Sequence, residues 1–149
     1  MKLQDLLVDV KTTWVEYPGC PGFEVEIAGL SRKELMNLRK SCMIGKIDRK
    51  TRQPYQELDE DKFVSEFSRS VIKGWKGFKV KYLEELVLVD SKGVDLESEI
   101  DYDQDSAEAL VQNSTEFDNW LNDVVFDLDT FRTRTAGAPV GEIREVDSE

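Results

Sequence analysis

Hydrophobic and polar residues alternate with a period of two near the start of the chain. The stretch "TTWVEYPGCPGFEVEIAGL" contains two such runs, whose apolar positions are Val15, Tyr17, Phe23, Val25 and Ile27. The segment "PGCPG" between the runs is dense in turn-forming residues. This pattern predicts a β-hairpin close to the N-terminus.

Farther along, the spacing of apolar residues changes to that of helices. In "LSRKELMNLRKSC", Ser31 and Glu34 have the spacing of a capping box, which predicts a helix start. Asp59 or Glu60 opens a second helix, "DEDKFVSEFSRSVIKG". A narrow apolar stripe follows this helix and consists of Phe63, Val64, Phe67 and Val71.

Two further helices are predicted in the C-terminal half. Asp105 and Glu108 make a start like a capping box for the first of them. Ser114 caps the second, "STEFDNWLNDVVFDLDTF". One arc of this last helix collects the apolar residues Phe117, Trp120, Leu121, Val124, Val125, Leu128 and Phe131.

The stretch "VIKGWKGFKV" places a tryptophan between two glycines where the second helix ends. We expect Gly74 to terminate that helix in the left-handed conformation, Trp75 to fold back as an anchor, and Gly77 to supply a second flexible point. A phosphate-binding loop is excluded, because the pattern G-x-x-x-x-G-K-[ST] is absent and the stretch follows a helix.

These elements together predict an α+β fold, with an N-terminal β-hairpin followed by a mainly α-helical domain of about four helices. Residues 1–131 form one domain in this interpretation, and residues 132–149 form a flexible tail. The basic segment "MIGKIDRKTRQPYQEL" is expected to be an exposed loop or the tip of a second hairpin. No run reaches the roughly 18 apolar residues of a membrane span, so we expect a soluble protein that is not exported.

Composition limits the chemistry of the chain. Its 149 residues carry a net charge of −11 and no histidine, which excludes Ser-His-Asp catalysis and a His-bearing zinc site. Cys20 and Cys42 are too few for a disulfide scaffold, and two reduced thiols of a cytosolic protein are a simpler interpretation than a bridge between them. The charge is uneven, at +4 for residues 1–83 and −14 for residues 84–129. The basic and acidic parts pair either with each other within the fold or with oppositely charged partners.

Four residues are candidates for partner binding. Lys62, Arg69 and Lys73 cluster on the side of the second predicted helix that lies opposite its apolar stripe. They face either solvent or, in a head-to-tail self-association, the acidic region of a second copy. Phe126 projects from the acidic face of the last helix and is either an ordinary exposed aromatic residue or an anchor for a partner protein.

Other functional interpretations are weaker. Asp101, Asp103 and Asp105 have the first spacings of a calcium loop, but Ser106 and Gln112 replace its glycine and bidentate glutamate, so a helix start is favoured. Four carboxylates could supply acid–base pairs or metal ligands, namely Glu57, Asp59, Glu60 and Asp61, but acids at helix starts are usually caps. The acidic net charge argues against nucleic-acid binding through "KIDRKTRQ".

In order and spacing, three segments resemble the tail assembly chaperones of long-tailed bacteriophages. The segments are "FEVEIAGLSRKELMNLRK", "LDEDKFVSEFSRSVIKGWKGFK" and "IDYDQDSAEALVQNSTEFDNWL". The helix that ends in a Gly-Trp-x-Gly turn carries the likeness best, followed by a short acidic link with a tyrosine and a helix with Phe-x-x-Trp. The likeness spans roughly residues 14–131.

The resemblance implies a non-catalytic protein without cofactor or metal, made during virion morphogenesis in the host cell cytoplasm and absent from the mature virion. Members of this family bind the tape measure protein, keep its hydrophobic helices soluble and help recruit tail tube subunits. The family often makes a longer product by ribosomal frameshifting, and this chain matches the shorter product. The alternative is a structural virion component, such as a tail-completion or baseplate protein.

Overall fold

A computed structural model describes residues 1–7, 12–127 and 130–131. These residues form a mixed α/β fold with six helices and two antiparallel sheets. The strands are β1 (Thr12–Glu16), β2 (Glu24–Ala28), β3 (Met43–Ile47), β4 (Pro54–Leu58) and β5 (Ile72–Lys76). The helices are α1 (Leu3–Leu6), α2 (Arg32–Ser41), α3 (Glu60–Val71), α4 (Val80–Leu86), α5 (Gln104–Asn113) and α6 (Thr115–Val125).

The predicted N-terminal hairpin is confirmed. Strands β1 and β2 pair antiparallel, and the loop between them closes with a hydrogen bond from the Tyr17 N–H to the Phe23 carbonyl at 2.9 Å. Strand β5 pairs with the other edge of β2, which gives a three-stranded sheet in the order β1-β2-β5. The apolar positions of the alternating pattern are buried, as Val25 and Ile27 show with no exposed surface.

One core joins this sheet to helices α3, α5 and α6. Aromatic rings fill much of its centre, with Phe23 stacked on Phe78 at 4.4 Å between ring centroids and Tyr17 edge-on to Trp120 at 4.8 Å. The apolar arc predicted for the last helix is buried at Phe117, Leu121 and Val125. Leu128 and the predicted tail, residues 132–149, lie outside the described residues.

Two of the predicted helix starts are confirmed to the residue. Ser31 and Glu34 form a complete capping box before α2. The Glu34 N–H donates to the Ser31 Oγ at 3.1 Å, and the Ser31 N–H donates to the Glu34 Oε1 at 3.0 Å. Ser114 accepts the Phe117 N–H at 3.1 Å and so caps α6. Asp59 caps α3, one of the two starts that the sequence allows.

The helix count was wrong. The described ranges contain six helices instead of about four, and the additional two are α1 and α4. Both are short, at four and seven residues, and neither begins with a side-chain cap. The alternation of Phe78, Val80 and Tyr82 with lysines also hides the helical start of α4 in the sequence.

The predicted role of Gly74 was also wrong. Helix α3 ends at Val71 without a left-handed glycine, and the chain passes directly into β5, where Gly74 pairs with Glu26. Gly77, in contrast, has a φ of +69° as expected of a flexible point. Trp75 is an anchor, only 8% exposed, but it is held by the sheet and by a bond from its Nε1 to the Ile100 carbonyl at 2.8 Å.

The start of α5 differs from the prediction as well. Asp103, and not Asp105, is its cap, and the Asp103 carboxylate accepts the Ser106 N–H at 2.6 Å. The segment "MIGKIDRKTRQPYQEL" forms the second hairpin, made of β3 and β4. Its strands have no third partner within the described sheets, so this hairpin projects from the body as a two-stranded ribbon.

Candidate partner-binding surfaces

Lys62 and Lys73 are exposed, and each bonds to a carbonyl at the end of a helix. The Lys62 Nζ donates to the carbonyl of Ser41, the last residue of α2, at 3.1 Å. The Lys73 Nζ donates to the Arg69 carbonyl in the last turn of α3 at 3.2 Å. Lysines in these positions satisfy free carbonyls and complement the negative end of the helix dipole. This structural role was not expected from the sequence.

The third basic residue, Arg69, faces the acidic part of the same chain. Its guanidinium lies 3.7 Å from the Asp105 carboxylate, and both side chains are exposed. Lys73 lies in β5 and not on α3, so the expectation of three basic residues on one helix face was wrong for Lys73. The reason is that α3 ends two residues earlier, where pairing with β2 becomes available.

Phe126 is exposed, in agreement with its predicted position outside the apolar arc. It is the C-cap residue of α6, its side chain is 46% exposed, and its N–H donates to the Asn122 carbonyl at 3.3 Å. The preceding Val125 is buried, so the chain passes from the core to the surface between these two residues. A binding role for Phe126 stays a prediction.

Part of the acidic region is neutralised within the fold. Glu97 accepts hydrogen bonds from Lys79 at 2.8 Å and from Lys81 at 2.9 Å. These bonds lower the pKa of Glu97 to about 2. Opposite charges within the chain therefore hold part of the acidic link against the two lysines at the start of α4.

Several large apolar side chains remain at the surface in three places. On the acidic link between α4 and α5, Leu88 is fully exposed at 101%. The other exposed apolar residues of this link are Val89, Val94 and Leu96. Those of the N-terminal segment are Met1, Leu3, Leu6 and Leu7, and those of the second hairpin are Ile44, Ile47 and Tyr55. Contiguous exposed apolar patches mark surfaces that bind other proteins, so these three places are candidates for such contacts.

The four carboxylates considered as catalytic candidates either bond to a neighbouring residue or lie in the first turn of a helix. Glu57 forms an ion pair with Lys46, and Asp59 accepts the Lys62 N–H at 3.2 Å. Glu60 and Asp61 lie in the first turn of α3, where acids favour the positive end of the helix. Among the residues that the structure describes, no group of three or more His, Cys, Asp or Glu side chains is placed to hold a metal ion.

Both cysteines are free and buried. Burial, with a smaller contribution from the nearby Glu85 carboxylate, raises the pKa of the Cys20 thiol to about 11. The thiol therefore stays protonated at neutral pH and donates to the Glu85 carboxylate, with 3.7 Å between sulfur and oxygen. Burial likewise raises the pKa of Tyr17, to about 12.

No family model, curated protein or solved structure matches this chain. Within the described ranges, no helix is long and apolar enough to cross a membrane.

Proposed function

We propose that this protein is a non-catalytic tail assembly chaperone of a long-tailed bacteriophage. In this role it binds the tape measure protein, keeps it soluble and helps recruit tail tube subunits. The proposal places it in the host cell cytoplasm and outside the mature virion. The observation that carries it is the ordered set of three sequence segments that resembles this family.

The second and third of these segments are in direct contact in the fold. Trp75 of the Gly-Trp-x-Gly motif, which lies in β5 and not in a turn at the end of α3, donates to the Ile100 carbonyl and meets the Tyr102 ring edge-on at 5.3 Å between centroids. The Tyr102 hydroxyl in turn donates to the Ile72 carbonyl at 2.9 Å. Strand β5 and the acidic link with its tyrosine are therefore packed together, which supports treating these two motifs as one signature.

The surface also suits a helix-rich, hydrophobic client. Apolar side chains such as Leu88 and Leu96 are exposed on a link that is rich in acids. Apolar residues can bind the client while the surrounding charge keeps the complex soluble. Phe126 at the end of α6 is the proposed aromatic anchor.

Self-association is a secondary part of the proposal. Arg69 already meets an acidic residue of its own chain, and most of the region 84–129 keeps its negative charge. Head-to-tail contacts between copies would pair the basic and acidic parts of the surface. Light scattering at low and high salt tests this idea, and a monomer at both salt concentrations would end it.

Co-expression with a candidate tape measure protein tests the main proposal. We expect the soluble fraction of the client to rise severalfold when this chain is present, because the chain covers the apolar helices of the client as they are made. The matched control is the same plasmid with an early stop codon in this gene. A client that is equally insoluble with and without the chain would refute the proposal.

The second candidate function is a structural virion component, such as a tail-completion or baseplate protein. It is retained because exposed apolar residues also suit permanent incorporation into an assembly. Mass spectrometry of finished particles separates the two functions. A chaperone is absent from the particles, whereas a structural component is present at a fixed copy number.

A further inference from the structure

The second hairpin, β3 and β4, has a free strand edge whose hydrogen-bonding groups can be assigned. The Asp48 N–H donates to the Gln53 carbonyl at 3.0 Å at one end of the hairpin, and the Asp59 N–H donates to the Cys42 carbonyl at 2.8 Å at the other. Hydrogen-bonded pairs alternate along antiparallel strands. Ile44 and Lys46 therefore make the bonds within the hairpin, and the residues between them point their N–H and C=O groups outward.

The outward groups of β3 belong to Met43, Gly45 and Ile47. No third strand pairs with this edge within the described sheets. The opposite edge, on β4, is weaker because Pro54 has no N–H to donate. Gly45 has open space where a side chain would be, so a second backbone can approach β3 closely.

The charges around this edge favour an acidic partner. The hairpin, residues 43–58, carries four basic and two acidic residues, although the chain as a whole carries −11. Among the ion pairs of the described residues, none involves Arg49, Lys50 or Arg52 at the tip. Asp48, the acid of the tip, accepts the Lys50 N–H at 2.8 Å and so holds the turn.

Apolar side chains on the hairpin add to these charges. Ile47 is 69% exposed and Tyr55 is 45% exposed. Ile47 lies on one face of the hairpin and Lys46 on the other. A partner strand that alternates acidic and apolar residues would therefore place its apolar side chains on the face of Ile47 and its acids on the face of Lys46. A second copy of the hairpin paired in parallel along β3 would bring two basic tips together, which disfavours that arrangement.

We propose that β3 accepts an added strand from a partner protein, and that this strand is an extended acidic segment with apolar residues at alternate positions. The mode is β-strand addition, in which main-chain hydrogen bonds supply affinity and side chains supply selectivity. The inference depends on the hairpin alone. It therefore succeeds or fails independently of the proposed chaperone function.

Amide hydrogen exchange on the full chain tests the proposal, with the capped peptide Ac-EVEVEVE-NH2 as the probe. With free peptide at about ten times its Kd, we expect exchange at Gly45 and Ile47 to slow about tenfold. Exchange at Gln56 and Leu58, whose N–H groups point outward from the opposite edge on β4, should change much less. Uniform slowing of all four amides, or no slowing, would overturn the proposal.

Matched peptides separate the contribution of main-chain hydrogen bonds from that of charge without changing the protein. A peptide N-methylated at alternate residues loses the donors that face β3, and we expect it to bind at least about tenfold more weakly. A peptide with lysine in place of glutamate should show no saturable binding. Equal binding of all three peptides, or preference for an oligonucleotide of equal charge, would contradict strand addition.

A charge variant of the protein completes the test. We expect Arg49→Gln combined with Arg52→Asn to weaken binding of the acidic peptide about fivefold to tenfold at low salt, and much less at high salt. Asparagine is chosen for position 52 because Arg52 has a φ of +59°, which asparagine tolerates. Unchanged affinity at low salt would refute the assigned role of the basic tip.

Discussion

Replacing Gly77 with alanine probes the close approach between the end of β5 and the loop that joins β1 to β2. Gly77 has a φ of +69°, and a Cβ at this position would lie 2.0 Å from the carbonyl oxygen of Gly22 and 2.8 Å from its carbonyl carbon. Both atoms are backbone, so no side chain can rotate away. The end of β5 and the loop between β1 and β2 would have to separate.

The expected cost has two parts. Holding alanine in the left-handed conformation costs about 1–2 kcal/mol. Forcing a methyl group into a packed region costs about 1–3 kcal/mol more. Gly77→Ala should therefore lower the free energy of unfolding by about 2–5 kcal/mol, a large fraction of the roughly 5–15 kcal/mol of a typical domain.

Urea unfolding followed by tryptophan fluorescence measures this loss, and Gly93→Ala is the matched control. Gly93 has a φ of +81° but open space within 4 Å of the added Cβ. Its substitution should cost only the backbone term of about 1–2 kcal/mol. If the two variants lose the same stability, the close approach of Gly77 to Gly22 does not exist and the reasoning fails.

The remaining predictions concern the core, the thiols, the acidic link and the proposed anchor. Trp75→Phe leaves the Ile100 carbonyl without its donor and should cost about 1–3 kcal/mol in urea unfolding, whereas a cost below about 0.5 kcal/mol would contradict the bond. Cys20 is 2% exposed, and its pKa of about 11 leaves about one thiol in a thousand ionised at pH 8, so iodoacetamide should not modify it in the folded protein. Rapid modification at pH 8 without denaturant would contradict its burial. The lowered pKa of Glu97 stabilises the fold above pH 4.5, and this contribution is lost as the pH falls toward 2. Urea midpoints measured down this range should therefore fall less steeply for Glu97→Gln than for the native chain, and identical pH profiles would contradict the lysine contacts. Phe126→Ala should change stability by less than about 0.5 kcal/mol, yet reduce the amount of client kept soluble in co-expression; unchanged client solubility would remove Phe126 as an anchor.

Elements with local signals could be predicted from the sequence. The capping box at Ser31 and Glu34 and the cap at Ser114 depend only on residues within one turn, and both predictions were correct. Strand β5 could not be predicted, because Ile72–Lys76 becomes a strand only through pairing with β2, far away in the sequence. Gly74 resembles a helix terminator locally, but it lies in the strand, opposite Glu26.

The candidate binding residues also divide into those with a local sequence signal and those that depend on distant contacts. The exposure of Phe126 followed from its position outside the apolar arc of α6, and this was predicted correctly. The contacts of Lys62 with Ser41 and of Arg69 with Asp105 join separate elements, so no local pattern could reveal them. The free edge of β3 was likewise hidden, because it depends on which residues face inward in the hairpin.

Capture of the tape measure protein from cells in which tails are assembling tests the central claim most directly. The measurement is the number of copies of this chain recovered per captured client molecule, determined by quantitative mass spectrometry before the tail tube forms. We expect the chain to be enriched on the client at this stage and to be lost from it once the tube is complete. Recovery of the client with tube subunits but without this chain would contradict the account.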